Sequence, residues 1–101
     1  MENYSKPYRV KENSIFARVA RYKMKSNNIA MVLGKTIHLS GVSKERFLKN
    51  EQWLQHELVH IEQFKRYGFF KFLLLYFVES LKHGYHQNKY EVEARQRAGE
   101  E

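Results

Sequence analysis

The stretch from Asn50 to Tyr67 constrains the fold more than any other part of the chain, because it carries both ends of a helix and a chemical motif between them. Asn50 suits the N-cap, Glu51 the first turn, Lys65 and Arg66 the last, and Gly68 stands just beyond as a stop. Trp53, Leu54, Leu58, Ile61 and Phe64 recur at helical spacing, so one face must be buried. Beside that face lies the word His56-Glu57-Leu58-Val59-His60. Any fold for this chain has to cover the apolar stripe and still leave two imidazoles and a carboxylate free to act together.

Residues four apart on an α-helix share a face, so His56 and His60 can converge on one metal ion. Glu57 projects about 100° further round than His56, which lets it serve a metal-activated water as general base without taking a ligand position. The same word also suits two ordinary histidines beside a solvated glutamate; the helix signals around it favour the metal. Zinc in hydrolytic sites takes three protein ligands and keeps a fourth position for water. The third is not the metzincin histidine, because Gln63 and Arg66 occupy the places of that motif's glycine and last histidine. With no cysteine in the chain, the donors must be His and carboxylate.

Downstream candidates are His83, His86, Glu91 and Glu93, the two histidines reading as loop residues around Gly84 and Tyr85. Asn88 reads as the cap of a further helix, on which Glu91 and Glu93 point about 200° apart, so at most one of them faces the metal. By spacing alone Glu91 is equally well placed to fold back onto the cap. Glu93 suits a solvated or ion-paired side chain.

The pairing of His56-Glu57-Leu58-Val59-His60 with Glu91-Val92-Glu93-Ala94 resembles the gluzincin metallopeptidases, whose later helix carries a glutamate in an E-x-x-A setting. The small single-domain members called minigluzincins are about this length. The resemblance is closest from Trp53 to Arg95 and weaker over Ile29 to Gly41. It implies a zincin-like metallopeptidase domain in which His56, His60 and Glu91 hold Zn2+ and Glu57 is the general base for peptide-bond hydrolysis. It also implies a peptide or protein substrate bound along a sheet edge, for which Lys35 to Ser40 is the candidate strand. Tyr85, His86 and Tyr90 lie near the metal segment as candidates to assist. Arg95 departs from the pattern, since many gluzincins carry an acidic residue there that braces a metal-bound histidine. A catalytically silent or latent zinc-binding regulatory domain is the alternative reading of the same residues.

At 101 residues, 43% hydrophobic and 15% aromatic, the chain suffices for one domain over residues 1–101. Met1 to Val10 has charges and a proline but no apolar h-region, and with the lack of cysteine this suits a cytoplasmic protein without a secretory signal. Phe69 to Val78 is strongly apolar, yet Lys71 and Glu79 leave it short of the roughly 20 residues needed to span a bilayer. It reads as a buried helix, with an interfacial anchor on an anionic surface as the alternative. The net charge is +7, with local density at Arg18, Arg21, Lys23 and Lys25, but no zinc-finger or recognition-helix signature accompanies it. A basic nucleic-acid or membrane-surface module is therefore a third reading, carried by charge alone.

Along the rest of the chain, Asn13 or Ser14 caps a first helix with Ile15, Phe16, Val19, Ala20 and Tyr22 as its core stripe, ended by Asn27 and Asn28. Ile29 to Leu33 and Thr36 to Leu39 are β-prone runs joined by Gly34-Lys35, a pair suited to a type II′ turn, with Ile37 and Leu39 inward and His38 outward. Ser43 caps a short helix through Lys49, and further helices run over Phe69 to Lys82, with Gly84 as the next stop, and from Lys89 to about Ala98. The expected class is α+β: a hairpin or small sheet on an N-terminal backing helix, a motif helix and a downstream glutamate helix.

Overall fold

In a computed structural model, which describes residues 8–100, the hairpin forms as its turn chemistry dictates. Strands β2 (Ile29–Leu33) and β3 (Thr36–Ser40) pair antiparallel with Leu33 opposite Thr36, and of the two turn residues only Gly34 takes a positive φ, 67°. That is the backbone a type II′ turn requires at its first central position. A strand not singled out in the sequence, β1 (Arg9–Lys11), pairs parallel with the other side of β3, giving the order β1-β3-β2. The expectation for Met1 to Val10 lies, as far as Pro7, outside the described residues.

This order corrects the expectation that Lys35 to Ser40 offers a sheet edge: β3 is central, with strands on both sides. The edge beside the motif helix is β2, which has no second strand partner among the described residues.

Helix α1 (Ile15–Met24) lies across the sheet, and Ser14 sets its rotation. The Ser14 amide donates to the Leu39 carbonyl at 3.0 Å, its hydroxyl accepts from the Phe16 amide, and the same hydroxyl meets His38 Nδ1 at 2.7 Å. With the first turn tied down this way, the fully buried Ala17 faces the strands, while Ile15, Phe16, Val19 and Tyr22 look outward. The expected core stripe of α1 is thus exposed, apart from the half-buried Ala20. His38 is likewise corrected: it is buried under α1, because α1 covers the sheet face opposite the one bearing Ile37 and Leu39. The helix stops at Met24 with Lys25 in the left-handed region, short of Asn27 and Asn28.

On the other sheet face, Ile37, Leu39 and Phe47 pack with Ile61, joining the sheet to α2 (Lys44–Lys49) and α3 (Glu51–Tyr67). A second cluster, Phe64, Phe72 and Tyr90, joins α3 to α4 (Phe69–Gln87) and α5 (Lys89–Arg97). Gly68 ends α3 as expected, and Gly84, whose φ of 81° and ψ of 168° are not helical, interrupts α4 where the sequence placed its stop, with a last short turn running on to Gln87. Helix α4 is not the buried helix expected: among its residues only Phe72 is fully enclosed. Among the described residues no helix is long and apolar enough to cross a membrane.

Candidate metal centre

Asn50 starts α3 by accepting from the Trp53 amide at 3.1 Å, and the helix then presents His56, Glu57 and His60 toward α5 and the β2 edge. The opposing helix is placed by a second asparagine. Asn88, wholly buried, accepts from the Tyr90 amide and donates to the Tyr76 carbonyl and Ser80 Oγ at 3.1 and 2.9 Å, locking the start of α5 to α4. From that start Glu91 does not fold back onto the cap; its carboxylate enters the space between the two histidines. Glu93, on the other side of α5, meets Gln63, Arg66 and Arg97 instead.

The three groups converge. Glu91 Oε1 lies 3.0 Å from His56 Nε2 and 3.1 Å from His60 Nε2, and one donor atom from each residue falls within 4.8 Å of the others. Tetrahedral zinc with bonds of 2.0–2.1 Å sets its ligand atoms about 3.3 Å apart, close to the two Glu91–histidine separations. The far nitrogens are occupied: His56 Nδ1 donates to Glu100 Oε2 at 2.7 Å and His60 Nδ1 to Gln63 Oε1 at 2.9 Å. The Gln63 orientation follows from its own amide group, which donates to the Tyr90 carbonyl and to Glu93. With both Nδ1 atoms engaged, the Nε2 atoms are the ones turned to Glu91 Oε1, and a cation that displaced the protons between them would find the orientation that carboxylate or carbonyl partners impose on metal-ligating histidines. Glu91 Oε2 accepts from the Tyr76 hydroxyl, which steadies the third donor. His56, His60 and Glu91 therefore form a group chemically and geometrically suited to a cation.

Packing these groups together shifts their protonation equilibria. Burial acts to lower the His56 pKa, but the hydrogen bond to Glu91, the charge of Glu57 and the hydrogen bond to Glu100 outweigh it and hold it up at about 9. For Glu91 burial is likewise outweighed, by hydrogen bonds from the two histidines, and its carboxyl sits well below the usual range. Glu57 is pushed up to about 7, chiefly by burial, against the pull of the histidine charges. The Tyr76 and Tyr85 phenols are both raised, first by burial and then by the Glu91 charge.

Two adjoining hollows of about 340 and 300 Å³ open over the group. Met24, Ile29, Ala30, Glu57 and Tyr85 line both, making one groove along β2 with α1 on one bank and α4 on the other. Of the other sequence candidates, His83 sits on α4 just before the Gly84 break, 3.8 Å from Glu79, so it is helical rather than in a loop; His86 is exposed just past that break, Tyr90 is core, and none joins the group. Arg95 turns away and donates to the His86 carbonyl.

Gln63, Tyr76 and Glu100 were not singled out as site residues. Only Gln63 carried a signal, standing one helical turn beyond His60 on the same face. Tyr76 and Glu100 approach through the packing of α4 and the chain's last residues. Comparisons with family models, with curated proteins and with solved structures return no match to this chain.

Proposed function

We propose that this chain is a small zincin-like, zinc-dependent peptidase, with His56, His60 and Glu91 as metal ligands and Glu57 as general base. The observation that carries the reading is the meeting of two Nε2 atoms and Glu91 Oε1 with both Nδ1 atoms already braced. An N,N,O donor set without thiolate suits zinc, which when bound supplies Lewis acidity toward a carbonyl and acidifies the attacking water. Glu57 faces the same groove, and its buried carboxylate is suited by position to take the proton of that water as the carbon–oxygen bond forms. It then hands the proton to the leaving amine as the carbon–nitrogen bond breaks. Tyr85, a phenol that stays protonated at neutral pH, lines the groove and is suited to donate to the developing oxyanion. The edge of β2, unpaired among the described residues, suits an extended peptide added as a further strand.

The test is metal content after exchange into zinc-limited buffer, paired with hydrolysis of a peptide library. About one zinc per chain is expected, with Glu57→Gln keeping the metal and losing at least about a hundredfold in turnover. Zinc held without hydrolysis would make the chain a silent metal-binding domain. No zinc retained would remove the reading altogether.

A further inference from the structure

Helix α4 leaves most of its apolar side chains in the open. Phe70 is 82% exposed, Leu81 71%, Leu74 62%, Phe77 59%, Val78 38% and Leu73 36%. At about 100° per residue these six fall within one continuous sector of roughly 140°, on the side away from the buried Phe72. An uninterrupted apolar stripe of this width marks an interaction surface.

The charges around it select the partner. Lys71 and Lys82 border the stripe along its outer edge, and Lys35, exposed at the hairpin tip, lies next to Gly34, where an added Cβ would touch the Phe69 ring at the stripe's first turn. The only acid on α4, Glu79, is turned to the buried side, where it meets His83 and the Lys89 amide. Across the groove, α1 carries Arg18, Arg21 and Lys23 and no acidic residue at all, with Lys25 just after it. A second copy of the chain suits this surface poorly: antiparallel pairing of two α4 stripes would bring Lys71 toward Lys82 of the other copy, between proteins each of charge +7. Anionic lipid supplies what is missing, acyl chains for the rings and leucines and headgroup phosphates for the lysines.

We propose that α4 lies in the surface of an anionic lipid bilayer, apolar stripe inward and basic residues at headgroup level, so that the metal-centre groove opens at the membrane margin. This does not rest on the peptidase reading. Leu73, Tyr76 and Tyr85 of α4 line the groove, so the membrane-facing helix is also one of its banks.

The experiment is co-sedimentation of the full chain with phosphatidylcholine vesicles, with and without about 30 mol % phosphatidylserine, alongside sedimentation velocity without lipid. Binding is expected to the anionic vesicles only, weakening in about 0.5 M salt. It should fall at least about tenfold in Phe70→Ser/Leu74→Ser/Leu81→Ser, and similarly in Lys71→Glu/Lys82→Glu. All five positions are exposed, so both variants should keep the wild-type circular dichroism and melting temperature. Equal binding to neutral vesicles, or no binding by a monodisperse wild type, overturns the proposal. Self-association abolished by the serine variant, without lipid binding, assigns the stripe to a second copy and overturns it too.

Discussion

Gln63 stands behind His60 as the partner of its Nδ1 atom. Its side chain is wholly buried, accepts from His60 Nδ1 at 2.9 Å, and donates to the Tyr90 carbonyl at 3.1 Å and to Glu93 Oε1 at 2.9 Å. Gln63→Leu keeps most of the volume and deletes all three bonds. The His60 N–H is then enclosed without a partner, at about 1–3 kcal/mol, while the Tyr90 carbonyl keeps its place in the α5 helix ladder and Glu93, already beside Arg66 and Arg97, re-pairs with them or with water. The expected loss is about 2 kcal/mol of unfolding free energy in urea titrations of the metal-free protein. Zinc affinity, read by competition with a chromophoric chelator, should fall roughly 10–100-fold because nothing then fixes the His60 ring. Gln63→Glu separates the two effects. An ionised carboxylate still accepts from His60, but it cannot donate to Tyr90 and it repels Glu93, so stability falls while zinc affinity drops less than in the leucine variant. A leucine variant within about 0.5 kcal/mol of wild type, or one that binds zinc as tightly, would refute the role assigned to this amide.

Three further outcomes follow from named contacts. Glu100→Ala removes the acceptor of His56 Nδ1 and should weaken zinc binding by about tenfold, with Glu100→Gln, whose amide oxygen still accepts, in between; equal affinities would show that the brace is idle. Gly41 has a φ of +83°, and a Cβ there would overlap the Asn27 carbonyl and lie 2.9 Å from Asn28 Cα, so Gly41→Ala should destabilise by about 2–3 kcal/mol in the same titration, and an unchanged midpoint would contradict that close approach. His38 has its pKa lowered in the fold, by burial and then by the Lys11 charge, so below an unfolded value of 6.5 the unfolded chain binds the proton preferentially. The stability it protects is complete above pH 6.5 and drains as pH falls, so the wild type should lose more between pH 7.5 and about 5.5 than His38→Asn does; parallel pH profiles would mean that His38 titrates freely.

What the sequence made legible is what local chemistry determines. Ser14, Ser43, Asn50 and Asn88 each accept from an amide two or three residues on, so four helix starts could be placed from side-chain type alone. The Gly34-Lys35 turn and the opposite facing of Glu91 and Glu93 are likewise consequences of backbone geometry over a few residues. Interactions across the chain were not legible. The rotation of α1 depends on Ser14 reaching the Leu39 carbonyl and His38, so its apolar residues, which by period alone form a core stripe, point outward. Three residues of β1 carry too little pattern to announce a strand, yet their pairing makes β3 central and hands the free edge to β2.

The same division explains how Glu91 comes to face His56 and His60 despite a poor local prospect. Helix α5 spans only Lys89–Arg97 and buries just Tyr90, Glu91 and Ala94, too little apolar surface to fix its position by burial alone. Direction comes instead from two wholly buried amides: Asn88 ties its first turn to α4, and Gln63 ties Tyr90 and Glu93 to α3. Hydrogen bonds specify angle and register where apolar contacts tolerate sliding, so a carboxylate held this way can meet two imidazoles at 3.0 and 3.1 Å. The dependence runs both ways. A cation bound by α3 and α5 together would add its binding free energy to the docking of α5, so its removal should loosen α5 before it unfolds the sheet and α2, whose core cluster of Ile37, Leu39, Phe47 and Ile61 contains no residue of α5.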